Sequence, residues 1–334
     1  METEKSNSIL LISLIGVKDL ELIHIYHPHQ LRKEEFPELS MALGYFDGVH
    51  LGHQEVIRRA VRNAKENDRK SAIMTFDPHP SVVLGFKHKH VQFITPLKDK
   101  IKLFENLGVD YIFVVRFTSE FASLDPQSYI DQYIIGLHVK HVVAGFDFSY
   151  GRLGKGTMET ISFHSREAFT FEVVQKQDFI NEKVSSTRIR EALRVGDTHL
   201  VEKLLGRPYT MKGTVIHGDK RGRKIGFPTA NIELADDYLL PSPGVYAMEV
   251  TIQGVSYEGV CNIGYRPTFK DPNEKKLSIE VHLFQFERSI YGEEITLHWL
   301  KRIRNEQKFS GIEELVQQIE KDKQEAIVFF HDRK

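Results

Sequence analysis

The hydrophobic period of this chain changes once, near residue 190, and that change limits the fold more than any other feature. Before it, strand-length apolar runs alternate with segments of helical period. Strands are expected at 20–26 (LELIHIY), 39–46 (LSMALGYF), 71–76 (SAIMTF), 109–115 (VDYIFVV) and 139–144 (VKHVVA), and helices at 54–66, 97–107 and around 126–136. In the first helix Val56, Ile57, Ala60, Val61 and Ala64 share one face, as a 3.6-residue period requires. Such alternation predicts βαβ units, hence a doubly wound α/β domain with a parallel sheet. After two short helices at 187–195 and 197–205 only strands follow, at 210–216, 228–234, 244–252, 257–263, 277–286 and 294–300. Gly and Pro separate them at short intervals, which predicts a small antiparallel β-barrel or sandwich. A helix from about 311 closes the chain, with Ser310 and Glu313 in a capping-box pattern. Its stripe of Ile312, Leu315, Val316, Ile319, Ala326 and Ile327 is expected to pack on the barrel. With 334 residues the chain fits two domains, expected at 1–186 and 187–334.

Composition removes several functions. Lys+Arg 45 against Asp+Glu 46 leaves a net charge of -1, without the basic excess of a protein that coats nucleic acid or an anionic membrane. One cysteine, Cys261, excludes an intrachain disulfide framework and a cysteine zinc site, and suggests a reducing, cytoplasmic setting. The apolar run Ile9–Ile15 lacks a basic leader and falls short of the ~20 residues of a membrane span.

Between the second strand and the first helix stands Gly44-Tyr-Phe-Asp-Gly-Val-His50-Leu-Gly-His53. A bare H-x-G-H is a weak signal, and a pair of surface or metal-binding histidines is the plain alternative. Its placement is informative, because ligands of doubly wound sheets sit in strand-to-helix turns, where backbone N–H groups and the helix dipole favour phosphate. Phosphoryl and nucleotidyl transfer consist mostly of positioning and charge neutralisation, which suits imidazoles and glycine turns. Three further segments are expected at the same sheet edge. They are Thr75-Phe-Asp-Pro-His-Pro80, Gly145-Phe-Asp-Phe-Ser-Tyr-Gly151 with aromatics able to flank a flat ring, and Ser185-Ser-Thr-Arg-Ile-Arg190. The last has hydroxyls and Arg188 for phosphate, or is a plain N-cap.

In the second half, Gly213–Gly226 is a basic stretch with glycines at 218, 222 and 226, expected to be a mobile flap, and Phe227-Pro-Thr-Ala-Asn231 follows. A solvated turn or a small nucleic-acid patch is the alternative. Thr229 and Asn231 can present oxygens to Mg2+ and phosphate. No G-x-x-x-x-G-K-[ST] stands here, which excludes a P-loop kinase. In the alternating run Leu277–Phe286, Glu280 faces away from Ile279 and Val281, either towards solvent or towards a substrate.

The series GxFDGxHxGH, TFxPHP, GFDFxxG and SSTRIR resembles the adenylyltransferase half of the bifunctional prokaryotic FAD synthetases, members of the H-x-G-H nucleotidyltransferase superfamily. The second half, through PTAN, IEVHLF and IRNEQKF, looks like their riboflavin kinase module. The resemblance implies riboflavin phosphorylation to FMN, then adenylylation of FMN to FAD with release of pyrophosphate, with ATP, riboflavin, FMN and FAD as small-molecule partners and Mg2+ as cofactor. It implies His50, His53 and Glu280 as catalytic groups, Glu280 being the base for the ribityl hydroxyl. Nucleotide contacts would come from Gly44, Phe46, Asp47, Gly48, Gly52, Ser185, Ser186, Thr187 and Arg188 in the first half. In the second they would come from Gly213, Gly218, Gly226, Pro228 and Thr229. Asp147, Phe148 and Tyr150 would touch flavin, and Thr229 and Asn231 the metal. Tyr45, Tyr150 and Cys261 depart from the usual residues without breaking the motifs. Residues 1–16 lie outside the stretch that carries the resemblance, which implies that they are an extension, and no catalytic role is expected of them. The alternatives are that one half alone is active, or that the chain is a regulatory nucleotide- or RNA-binding protein.

Overall fold

The computed structural model describes residues 20–85, 92–176, 178–179, 182–218, 221–267 and 275–333. The expectations for Ile9–Ile15 and the 1–16 extension lie outside these residues. The chain divides into two compact units. One holds the residues up to Val91 and Thr95–Val184, the other Gln92–Ile94 and Ser185–Lys334. Ser185 and Ser186 therefore group with the second half.

The first unit is built on six parallel strands: β1 (Glu21–Ile25), β2 (Leu39–Leu43), β3 (Lys70–Asp77), β4 (Tyr111–Arg116), β5 (Val139–Gly145) and β6 (Thr170–Val174). Their order is β1-β4-β3-β2-β5-β6. Central strands of a parallel sheet are covered on both faces, so they read as continuous apolar runs. Every residue of β2 is buried, as is Ser71–Phe76 of β3. Alternate side chains supply two separate cores: Met41, Leu43, Met74, Phe113 and Val115 on one face, and Ala42, Ile73, Ile112, Val114 and Val143 on the other. Helix α1 (Leu51–Glu66) buries the five residues its period picked out, and α2 (Leu97–Asn106) packs on the same face through Phe104. From β2 the chain proceeds to β3 on one side, while β5 lies on the other. The order of winding thus reverses at the C-terminal end of β2, where an open α/β sheet leaves a crevice for ligands.

Three local expectations need correction. Helix α1 begins three residues earlier than its periodicity suggested, because His50 caps it. The helix expected around 126–136 is an α-turn Pro126–Tyr129, a π-turn Ile130–Ile134 and a 3-10 turn Ile135–Leu137. The widened turn keeps Tyr129, Ile130, Tyr133, Ile134 and Leu137 buried together. Strand β6 had no counterpart in the sequence reading. It is a short edge strand, with Thr170 and Phe171 exposed and the run broken by Glu172.

The second unit starts with α3 (Ser186–Val195) and α4 (Thr198–Leu205). A barrel follows, formed by β7 (Tyr209–Ile216), β8 (Ala230–Leu234), β9 (Gly244–Ile252), β10 (Val255–Pro267), β11 (Lys275–Leu283) and β12 (Glu294–Arg304). It closes antiparallel in the order β7-β8-β11-β10-β9-β12, which leaves no unpaired edge. Strand β7 alternates as a barrel strand must, with Tyr209, Met211, Gly213 and Val215 turned inwards. Phe93 belongs to this unit: its N–H donates to the Asp237 carbonyl at 2.7 Å, and its carbonyl accepts from Leu239 N–H at 2.8 Å.

Helix α5 (Ile312–Arg333) packs on the barrel as expected through Ala326, with Leu315, Val316 and Ile319 half-buried, but two residues of its stripe stay outside. Ile312 is 63% exposed and Ile327 lies at the surface, while Asp322, Ala326 and Phe330 are buried. The cap also shifts by one residue. The helix starts at Ile312, so Glu314 is its third residue, and it accepts from Ser310 N–H at 2.9 Å and Ser310 Oγ–H at 2.7 Å. Asp322 is only 4% exposed because Arg304 of β12 grips it, with Nε at 2.8 Å and Nη2 at 2.7 Å. Removing one partner of a buried pair strands the other charge. Asp322→Ala is therefore expected to destabilise the unit by about 3–5 kcal/mol, and Asp322→Leu with Arg304→Met to recover most of that. Denaturant midpoints measure both; an unchanged midpoint in Asp322→Ala contradicts the assignment.

Candidate active sites

The turn after β2 is tightly determined. Phe46 (φ 58), Gly48 (φ 88) and Val49 (φ 43) all occupy the left-handed region, which is costly for a β-branched residue and persists only where its surroundings enforce it. Gly44 is one such support: a Cβ there would lie 2.7 Å from the Phe46 ring, which also packs edge-on to His53 and Phe104. Asp47 is buried and accepts from Thr95 N–H at 3.1 Å, and Gln54 Nε2 donates to the Val49 carbonyl at 2.9 Å. The turn delivers the chain into the N-terminus of α1, where the dipole favours an anion.

The two histidines of the motif are brought together there. Their rings stack with centroids 3.5 Å apart and an 18° tilt. Nδ1 of buried His50 accepts the His53 backbone N–H at 3.2 Å, so the His50 proton resides on Nε2, as a donor. His53 is held well below the usual imidazole value, first by burial, then by His50 and Lys100. Its buried Nδ1 has no hydrogen-bond partner among the described residues. The pair is thus a set of uncharged donors suited to a developing negative charge rather than an acid–base couple.

The TFDPHP segment joins this turn. Thr75 Oγ1 donates to the Tyr45 carbonyl at 3.0 Å, and the His79 ring meets the Tyr45 ring edge-on at 4.3 Å. Beneath them lies Lys100 of α2, its Nζ 2.8 Å from the Tyr45 carbonyl. Sequence periodicity passed over this lysine, since LKDKIKLFENL reads as an amphipathic helix whose charges face water. Of the GFDFSYG aromatics, Tyr150 is a core residue: it stacks on Tyr129 at 5.3 Å and hydrogen-bonds His164 Nδ1 at 2.9 Å. Phe148 stacks on Tyr150 at 6.3 Å and is half-buried, while Asp147 is exposed. Ser185 is the N-cap of α3, with its Oγ accepting from Arg188 N–H at 3.2 Å, and the Arg188 guanidinium reaches Glu191 at 3.8 Å.

A second site lies on the outer face of the barrel. In register, Glu280 of β11 sits between Asn231 of β8 and Asn262 of β10. Thr229 Oγ1 donates to Glu280 Oε2 at 3.3 Å. His282, two residues along the same face, donates Nδ1–H to the Pro228 carbonyl at 2.9 Å and so pins the PTAN turn against Glu280. Asn262 and His282 escaped the sequence reading; the N-I-G and E-V-H spacings carried the signal, since period-2 neighbours share a face. The stretch expected to be a flap is described except at residues 219–220. Arg221–Lys224 is a helical turn, and Gly218 and Gly222 are where the backbone presses on the Asn231 side chain and the Phe227 carbonyl, leaving no room for a Cβ. Gly213 likewise meets the Glu233 carbonyl across the β7–β8 pair, whereas Gly226 (φ 87) has open space. Cys261 is buried and its thiol pushed well up by that burial, which makes it inert.

The oxygens of Thr229, Asn231 and Glu280 are hard donors. They fit a small divalent cation that takes few protein ligands and completes its shell with water and phosphate oxygens. No cluster of three or more His, Cys, Asp or Glu suited to a metal stands among the described residues.

Fold and sites define a class: a nucleotidyltransferase-type α/β unit with an H-x-G-H turn, followed by a closed six-stranded barrel with a carboxylate–PTAN site. Comparisons narrow it. Residues 32–188 match the FAD synthetase family and residues 205–330 the riboflavin kinase family. The chain is 54% identical over 311 residues to a bifunctional riboflavin kinase/FMN adenylyltransferase of Bacillus subtilis, covering 93% of this chain and 98% of that one. Its Escherichia coli K12 counterpart is 35% identical, over 90% and 96%. A Streptococcus pneumoniae crystal structure, described as a macrolide-efflux protein, superposes with a TM-score of 0.81 at 34% identity, over 90% and 97% of the two chains. The chain belongs to the bifunctional riboflavin kinase/FMN adenylyltransferase family.

Proposed function

We propose that this chain makes FMN and then FAD. Its second half, from Ser185, transfers the γ-phosphoryl group of ATP to the ribityl 5′-hydroxyl of riboflavin, yielding FMN and ADP. Its first half, up to Val184, transfers AMP from ATP to the FMN phosphate and releases pyrophosphate. The observation that carries this reading is that the match to the bifunctional relatives runs through both units.

The geometry supports a different mechanism in each half. The nucleophile of adenylylation, the FMN phosphate, is already anionic and needs no base. His50 and His53, as uncharged donors at a helix N-terminus, stabilise the charge on the α-phosphate. Gly44, Phe46, Asp47, Gly48 and Gly52 hold the turn for the nucleotide, and Asp147 and Phe148 meet flavin with Tyr150 behind them. An alcohol must lose its proton as it attacks, and Glu280 takes it. Mg2+ is the cation assigned to Thr229 and Asn231, where it neutralises phosphate charge when bound. Gly213, Gly218, Gly226 and Pro228 shape the ATP site around it. No described helix is long and apolar enough to cross a membrane, and the reading places the enzyme in the cytoplasm without nucleic-acid or membrane partners.

Incubation with riboflavin, ATP and Mg2+, resolved by chromatography, should show FMN first and FAD after it, with both lost in EDTA. FMN alone would mean that one half works; neither product would favour a nucleotide- or RNA-binding role. Because His53 gains a proton only well below its usual value, FMN adenylylation should also not slow as pH falls from 8 through 6.5. A rate that halves at pH 6.5 counts against uncharged donors.

A further inference from the structure

Lys100 is 2% exposed, and a buried ammonium is strongly unfavourable unless its surroundings compensate. On the buried face of α2 a methionine or leucine would fill the same space beside Phe104 without that penalty. Part of the compensation comes from the turn before α1 and from β3. Lys100 Nζ donates to the Tyr45 carbonyl at 2.8 Å and to Thr75 Oγ1 at 3.4 Å, and lies 4.1 Å above the centre of the Tyr45 ring. Tyr45 is the second residue of the turn that ends in His50 and His53.

We propose that Lys100 is a positioning residue for adenylyl transfer: its ammonium clamps the Tyr45 carbonyl, fixes the turn that carries His50 and His53, and sets a positive charge beneath the phosphate-binding face. This rests on the first unit being the adenylyltransferase. Other titratable groups among the described residues act on the clamp or respond to it. Asp47 of the turn and Asp77 of β3 hold the proton on Lys100, and Lys100 contributes, after burial and His50, to keeping His53 uncharged. Burial outweighs the two carboxylates and lowers Lys100 to about 8. Below that pH the clamp is charged; above it the native protein loses the charge and with it the strong bond to Tyr45.

The test follows FMN-to-FAD and riboflavin-to-FMN rates of the full chain from pH 6.5 to 9.5, for wild type, Lys100→Met and Lys100→Arg, with melting temperatures. Wild type should lose FAD formation as pH rises through about 8. Lys100→Met should form FAD about 10–100-fold more slowly, in kcat more than KM, because a turn misplaced by a fraction of an ångström forfeits orientation. Its remaining rate should lack the step near 8, its melting temperature should not fall, and its riboflavin phosphorylation and that activity's pH profile should match wild type. Lys100→Arg, charged throughout, should carry FAD formation to pH 9.5 without the step, and it decides the matter if the methionine variant unfolds. Wild-type FAD rates in Lys100→Met, or an unchanged step in either variant, overturn the proposal alone. A wild-type chain that forms no FAD from FMN overturns the adenylyltransferase reading itself.

Discussion

Alanine at His50 or at His53 should slow the conversion of FMN to FAD by about 10²–10³-fold, the usual cost of removing one donor aimed at developing charge. Riboflavin phosphorylation by the same chain should stay within about twofold, since the carboxylate–PTAN site lies on the barrel. The two variants need not behave alike in stability. His50 caps α1 through Nδ1, so its loss also removes a cap worth about 0.5–2 kcal/mol, whereas His53 contributes packing against Phe46. Steady-state rates with purified FMN as substrate separate the effects. Full FAD synthesis in both variants would return the pair to the role of structural histidines.

Glu280→Gln acts on the other half. The glutamine keeps the size of the side chain and can still accept from Thr229, but it cannot take a proton from the ribityl hydroxyl. FMN formation should fall by about 10²–10⁴-fold, the range for a lost general base, while added FMN is still converted to FAD. A loss below fivefold would mean that Glu280 is only a polar residue on the outer face of a barrel strand.

The two architectures were legible because each has its own period. Buried runs such as Ser71–Phe76 mark a parallel sheet, and the alternation of Tyr209–Ile216 marks a barrel strand. Strand β6 was missed because an edge strand with Glu172 in its middle carries neither signal. The face of α5 was misjudged only in part: Ile312 and Ile327 are apolar yet exposed, while Asp322 is charged yet buried; a period read from hydrophobicity alone cannot anticipate an ion pair with a strand of the barrel. The same limit hid Lys100. Motif residues were found where the backbone demands particular residue types, as in the left-handed turn at Phe46–Val49. Asn262, His282 and Lys100 act on those motifs from elsewhere in the sequence, and only the fold brings them near.

The central claim is that two chemically distinct sites on one chain act in sequence through released FMN. Mixing the two inactivated proteins tests it most directly. His50→Ala should convert riboflavin and MgATP to FMN and stop there, and Glu280→Gln should make neither product from riboflavin. Combined in one reaction, they should form FAD, because FMN made by one is adenylylated by the other. If the mixture accumulates FMN without FAD although Glu280→Gln still adenylylates added FMN, or if either variant alone makes FAD from riboflavin, the division of chemistry between the units is wrong.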